Sequence, residues 1–158
     1  MDVLFNEFEE MLKQSARNTL EVESPPALAR EAEVSAKGYS PELWKKIADL
    51  GWLGLALPES AGGQGLGLSA LGIVACEIGR AVAPVPFHST MTAALTIAES
   101  GSDAQRTAIL PRVVSGDAIL TWALTEADPR YLTPDAVQMQ ATVDGGDLVL
   151  NGTKLFVE

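Results

Sequence analysis

Val137-Gln-Met-Gln-Ala-Thr-Val-Asp144-Gly-Gly-Asp147-Leu-Val-Leu150 is the stretch on which the fold turns. Val137, Met139, Ala141 and Val143 alternate with Gln138, Gln140 and Thr142, the period of two expected of a half-buried strand. Asp144-Gly-Gly-Asp147 reads as a hairpin turn, because glycine tolerates the positive φ that such turns need. Leu148 to Leu150 reads as the returning strand, and Asn151-Gly152 as a second turn leading into an extended Leu155-Phe-Val157. Working back, Ile119-Leu-Thr-Trp-Ala-Leu-Thr-Glu126 reads as a further apolar strand. Before residue 118 the apolar spacing is helical instead. The change of period predicts an α+β chain: an all-α helical domain over 1–117, then the first strands of an incomplete antiparallel β-domain over 118–158.

The helical part divides at its breakers. Leu4, Phe8, Met11 and Leu12 form one apolar stripe over residues 2–20, and Ser24-Pro25-Pro26 ends it. Residues 21–38 are Ala/Glu-rich with few large anchors and read as a mobile surface segment. Ser40-Pro41 places an N-cap before a proline at the first helical position, where its missing N–H costs nothing. Leu43, Trp44, Ile47 and Leu50 supply the buried face, and Gly51 the stop. After Leu57-Pro-Glu-Ser-Ala-Gly-Gly-Gln-Gly-Leu-Gly67 comes an apolar helix with Leu68, Leu71, Ala75 and Ile78 on one side. Its Ala70, Gly72 and Gly79 would admit a close neighbour. Ala81 to Ser89 reads as a turn, Thr90 to Ser100 as a short helix. A last helix begins at Ser102-Asp103 with Ile109, Leu110, Val113 and Val114, which Pro111 is expected to kink or shorten.

Composition narrows the function. With 47% hydrophobic and 20% charged residues the 158-residue chain can bury a core. Eleven Lys and Arg against 21 Asp and Glu give a net charge of −10, which argues against nucleic acid and against a polybasic contact with anionic lipid. The acidic N-terminus does not resemble a signal peptide, and no apolar run approaches the ~20 residues of a membrane span, so a soluble cytoplasmic protein is expected. Cys76 is the one cysteine; it excludes an internal disulfide and is expected to be a buried thiol on an apolar helix face. His88, the one histidine, has no carboxylate or second histidine at ligand spacing, and reads as a turn or surface residue. Gly63-x-Gly65-x-Gly67 lacks the spacing of a dinucleotide loop, and no Lys-Ser/Thr follows to make a phosphate loop. It reads as a structural turn. Neither a metal site nor a catalytic residue emerges.

Several of these stretches together resemble the acyl-CoA dehydrogenase family. Trp122-Ala-Leu-Thr-Glu126, followed by Asn151-Gly-Thr-Lys-Leu-Phe-Val157, is similar to its flavin-facing segments. Leu50-Gly51 through Gly54, Pro58-Glu59 and Gly62-Gly63-x-Gly65 resembles its Leu-Gly-x-x-Gly…Pro-Glu…Gly-Gly-x-Gly signature, and Cys76-Glu-Ile-Gly-Arg80 is similar, in its closing Gly-Arg, to its Glu-x-x-Gly-Arg helix end. These last two are marks of fold. The resemblance implies FAD as cofactor, an acyl-CoA thioester as substrate, an electron-transfer acceptor and a homo- or hetero-oligomer. It implies flavin contacts from Trp122, Leu124, Thr125 and Phe156, with Glu158 where the family has a flavin-contacting threonine. Alternation would set Trp122, Leu124 and Glu126 on one side of the strand, Ala123 and Thr125 on the other.

The departures from the pattern carry their own expectation. Ala127-Asp-Pro-Arg-Tyr-Leu132 replaces the family's Pro-Gly-Ala-Gly-Ser-Asp, which removes the serine that helps hold acyl-CoA and disfavours a straight-chain substrate. Bulky or steroid-derived thioesters suit such altered members, some of which pair two unlike subunits. The family's glutamate base lies in a C-terminal helical domain, which the resemblance puts beyond Glu158. This piece alone is therefore expected to be inactive, with unpaired sheet edges and an exposed apolar face. Two alternatives stand beside this reading: a non-catalytic subunit of a heteromeric dehydrogenase, and a stand-alone helical interaction module.

Overall fold

The computed structural model describes residues 5–126 and 137–157. The chain divides into two compact units, Met1–Leu120 and Thr121–Glu158. The first is helical; the second carries a two-stranded antiparallel sheet, so the chain has the expected α+β class.

Six α-helices occur among the described residues: α1 (Glu7–Glu23), α2 (Pro26–Val34), α3 (Pro41–Asp49), α4 (Gly67–Arg80), α5 (Phe87–Ser100) and α6 (Asp103–Val114). Local chemistry sets their ends. Asn6 and Glu9 form a reciprocal capping box at 2.9 Å each way, and Ser102 with Gln105 repeats the device on α6. Ser40 accepts the Leu43 N–H to cap α3, and Gly51 closes that helix at φ 76°.

The core gathers Trp44, Ile47, Leu53, Leu57, Val74, Met91, Leu110 and Val113, with Leu53, Leu57, Val74, Leu110 and Val113 fully buried. The Trp44 indole donates to the Gly116 carbonyl at 2.9 Å, which satisfies its one polar atom inside the core. Gly116 itself sits at φ 79°, with so little room that a Cβ would stand 2.8 Å from that of Ala48. Between α3 and α4 the glycine-rich stretch is a knot of main-chain bonds. Gln64 N–H donates to the Gly54 carbonyl, Gly65 to Leu57 and Leu66 to Leu55, at 2.8–2.9 Å. A side chain at Gly63 would overlap the Leu57 carbonyl oxygen, so this is the structural turn expected, made possible by backbone touching backbone.

Other expectations need correction. Residues 26–34 are helical where a loose surface segment was expected, since Ala, Leu, Glu and Arg favour helix even with only Ala32 buried. In α1, Phe8 and Met11 are 45% and 61% exposed, while Ala16 and Leu20 are buried; Leu4 lies outside the described residues. Helix α1 packs on α4, with Arg17 of the first reaching Glu77 of the second. On α3, Leu50 is exposed and Ala48 takes its place.

On α4 the buried face is Ala70, Ile73, Val74, Glu77 and Ile78 with Leu71, about a quarter-turn from the expected stripe. Leu68, Ala75 and Cys76 are exposed, and space is open around Gly72 and Gly79. The large apolar residues Leu71, Ile73, Val74 and Ile78 share one face, while Ser69, Gly72, Ala75, Gly79 and Arg80 lie on the exposed side, so the helix is amphipathic about a different stripe. Glu77 lies on that buried face as well. Helix α5 starts three residues early, at Phe87, and α6 runs through Pro111 without interruption.

In the second unit β1 (Ala141–Asp144) pairs with β2 (Asp147–Leu150) in the register Ala141↔Leu150 to Asp144↔Asp147, around Gly145 and Gly146 at φ 64° and 144°. All eight strand residues are exposed, Val143 by 78% and Leu148 by 69%, against the expected half-burial. A two-stranded ribbon offers no second layer to cover either face. Residues 121–126 and 151–157 form no regular strand.

Candidate functional site

One carboxylate organises the second unit. Glu126 Oε2 accepts the Gln138 N–H at 2.8 Å, while Oε1 accepts the Met139 N–H at 2.9 Å and the Lys154 ammonium at 2.7 Å. Lys154 Nζ donates again to the Leu124 carbonyl at 3.1 Å, and the next residue, Leu155, donates its N–H to the Thr125 carbonyl at 2.8 Å. Both charged side chains are 17% exposed. The Lys154 ammonium, helped by the Gln138 and Met139 N–H groups, holds the Glu126 carboxyl below the usual carboxylate range, at about 2.

These bonds bring the two motif segments side by side. Thr125 lies against Leu155, one residue from Phe156. Leu124 and Thr125 are half-buried, whereas Trp122 is 45% and Phe156 83% exposed. Phe156 also sits at φ 54°, a conformation unusual for a residue with a Cβ. Glu158 and the departing stretch Ala127 to Leu132 lie outside the described residues. Trp122 and Phe156 thus each expose aromatic surface, and Thr125 carries a hydroxyl that can donate or accept. Glu126 and Lys154 were not among the residues singled out as ring contacts. A signal for them existed: opposite charges stand 28 positions apart, one in each motif.

The helical unit has a second perturbed carboxylate. Arg17 holds Glu77 in a fork, Nη2 to Oε1 at 2.8 Å and Nε to Oε2 at 3.1 Å, while Arg80 Nε reaches Oε2 at 2.6 Å. The Arg17 fork outweighs the burial that would otherwise raise it, and with Arg80 brings the Glu77 carboxyl to about 2. Both shifts run the wrong way for a general base, which works best with a pKa near the operating pH. Glu77 and Glu126 are fixed anions. His88 is exposed on the first turn of α5, and Cys76 is exposed on α4. Among the described residues no group of three His, Cys, Asp or Glu side chains is arranged to hold a metal, and no helix is long and apolar enough to cross a membrane.

Comparison with known proteins places these features in context. A family profile described as acyl-CoA dehydrogenase, N-terminal domain, matches residues 6–117. The acyl-CoA dehydrogenase FadE12 of Mycobacterium tuberculosis is 31% identical over 121 residues, which is 75% of this chain and 31% of that protein. A variant of the Tcur3481-Tcur3483 steroid ACAD superimposes with a TM-score of 0.86 at 42% identity, covering 96% of this chain and 41% of its own. The ChsE4-ChsE5 complex from Mycobacterium tuberculosis follows at 0.83 and 30%, covering 98% of this chain and 41% of its own. The chain thus spans well under half the length of each relative.

Proposed function

Since the chain belongs to the acyl-CoA dehydrogenase family, we propose that the protein of which it forms part carries out FAD-dependent α,β-dehydrogenation of an acyl-CoA thioester. FAD, when bound, supplies the hydride acceptor for that reaction. Trp122 and Leu124 would offer apolar surface to the ring, Thr125 a hydroxyl to a polar ring atom and Phe156 a second aromatic surface. Glu158, at the family's threonine position, would exchange a hydroxyl for a negative charge. The observation that carries this reading is the Leu155 to Thr125 hydrogen bond, which sets the two flavin-motif segments beside each other. The α-proton is then removed by a base other than Glu77 and Glu126, both of which are tied up by cations.

A bulky acyl group is favoured over a straight chain. Two features support this: the missing glycines and serine between Ala127 and Leu132, and the likeness to a structure described as a steroid ACAD. A second reading, a subunit of a heteromeric dehydrogenase, draws support from relatives described as two-component assemblies. FAD titration tests both. Quenching of FAD fluorescence should saturate with the purified chain, alone or mixed with a candidate partner chain, and Thr125→Val and Phe156→Ala should each weaken it several-fold. Saturation only in the mixture favours the heteromeric subunit. No saturation in either sample, or identical binding by both variants, overturns the flavin assignment.

A further inference from the structure

Three stretches of the second unit, 121–126, 137–140 and 151–157, meet on the Glu126 carboxylate with no strand ladder among the described residues to hold them. Lys154 ties that carboxylate to the Leu124 carbonyl, and its neighbour Leu155 bonds Thr125. Phe156, at φ 54°, follows directly. Such a conformation is uncommon in a side-chain-bearing residue. The two residues directly before it, Lys154 and Leu155, are held by Glu126, Leu124 and Thr125.

We propose that Glu126 and Lys154 are positioning residues of the flavin site: their ion pair fixes the spacing between Thr125 and Phe156, and neither side chain holds the ring. This rests on the flavin reading above. The chemistry demands these residue types. Two backbone N–H groups and an ammonium converge on one side chain, so it must be an acceptor at both oxygens, which an ionised carboxylate is and an amide is not. The ammonium must donate in two directions at once, to a carboxylate and to a main-chain carbonyl, and it has three donors to do so. The Glu of Thr-Glu and the Lys of Asn-Gly-Thr-Lys are therefore two halves of one clamp.

The test compares the wild-type chain with Lys154→Met, Glu126→Gln and Lys154→Arg, by amide hydrogen exchange without cofactor and by FAD fluorescence titration. In Lys154→Met and Glu126→Gln, exchange at Gln138, Met139 and Leu155 should accelerate by about tenfold or more, while the amides of α4 and α6 keep their protection. FAD affinity should fall by about tenfold in the same two variants, and Lys154→Arg should restore both readouts to within about threefold of wild type. Unchanged exchange at the three amides overturns the clamp. Accelerated exchange with unchanged FAD affinity overturns its positioning role. A wild-type chain that binds no FAD, either alone or mixed with a candidate partner chain, overturns the flavin reading and the purpose assigned to the pair, while exchange still decides the pairing itself.

Discussion

At Gly63 a methyl group would run into the Leu57 carbonyl oxygen and stand 2.9 Å from that of Gly54, in a loop whose main chain has nowhere to retreat. At Gly72, on the outer side of α4, the same methyl meets nothing within 4 Å. Gly63→Ala is therefore expected to cost about 2–3 kcal/mol by overpacking. Gly72→Ala should gain about 0.5–1 kcal/mol, by limiting the freedom of the unfolded chain. Urea denaturation followed at 222 nm measures both, and equal effects would refute the assignment of the two faces. Thr90, fully buried, offers a parallel case: its hydroxyl accepts the Leu120 N–H at 3.2 Å and donates to the Leu120 carbonyl at 3.3 Å. Thr90→Val keeps the shape and removes both bonds, so a loss of about 1–2 kcal/mol is expected in the same assay. The glycine knot was legible in the sequence because a run of glycines announces close backbone approach. The role of Thr90 was not, since a threonine in an apolar helix carries no sign of a partner 30 positions away.

The packing of α1 on α4 depends on Glu77, and its energetics follow pH. The carboxyl titrates near 4.5 in an ordinary environment and at about 2 in the folded protein. As pH falls through 4.5 the unfolded chain takes up the proton first, so the stability this group contributes declines across that window and is gone below about 2. Above 4.5 it is present in full. Glu77→Gln should cost on the order of 2 kcal/mol at neutral pH, and the gap to wild type should close between pH 4.5 and 2. Urea midpoints across that range check the sign; a gap that widens on acidification would reverse it. Helix ends were legible from Ser40-Pro41, Gly51 and Ser102, where capping is a local matter of one side chain and one N–H. Helix faces were legible only where polar residues alternate with apolar ones. In α4 the apolar residues Leu68 and Ala75 sit on the exposed side and the charged Glu77 on the buried one, where it meets an arginine 60 residues away, a pairing that periodicity cannot report. The site divides the same way. Motif residues such as Thr125 and Phe156 could be named from local pattern, while the Glu126–Lys154 clamp required two segments to meet.

Among the described residues, every buried residue of the main core falls between Ala16 and Val113, and the partly buried residues packed on it extend to Leu120. A chain ending at Leu120 should therefore unfold cooperatively, with a thermal midpoint within about 4–8 °C of the full chain, equivalent to at most ~1 kcal/mol. A broad, non-cooperative melt would show that residues beyond Leu120 help to hold the helices. The pairing of Arg17 with Glu77 has one more implication, for the order of events during synthesis. The two residues are 60 positions apart, as far as half the helical unit allows. At translation rates of about 5–20 residues per second, α1 leaves the ribosome roughly 3–12 s before its partner helix exists. Over that interval Ala16 and Leu20 have no surface to cover them, while α2 and α3 can already form from local contacts. The first helix made thus waits for the fourth before it can dock, and over that wait a nascent chain is open to capture by a chaperone at this segment.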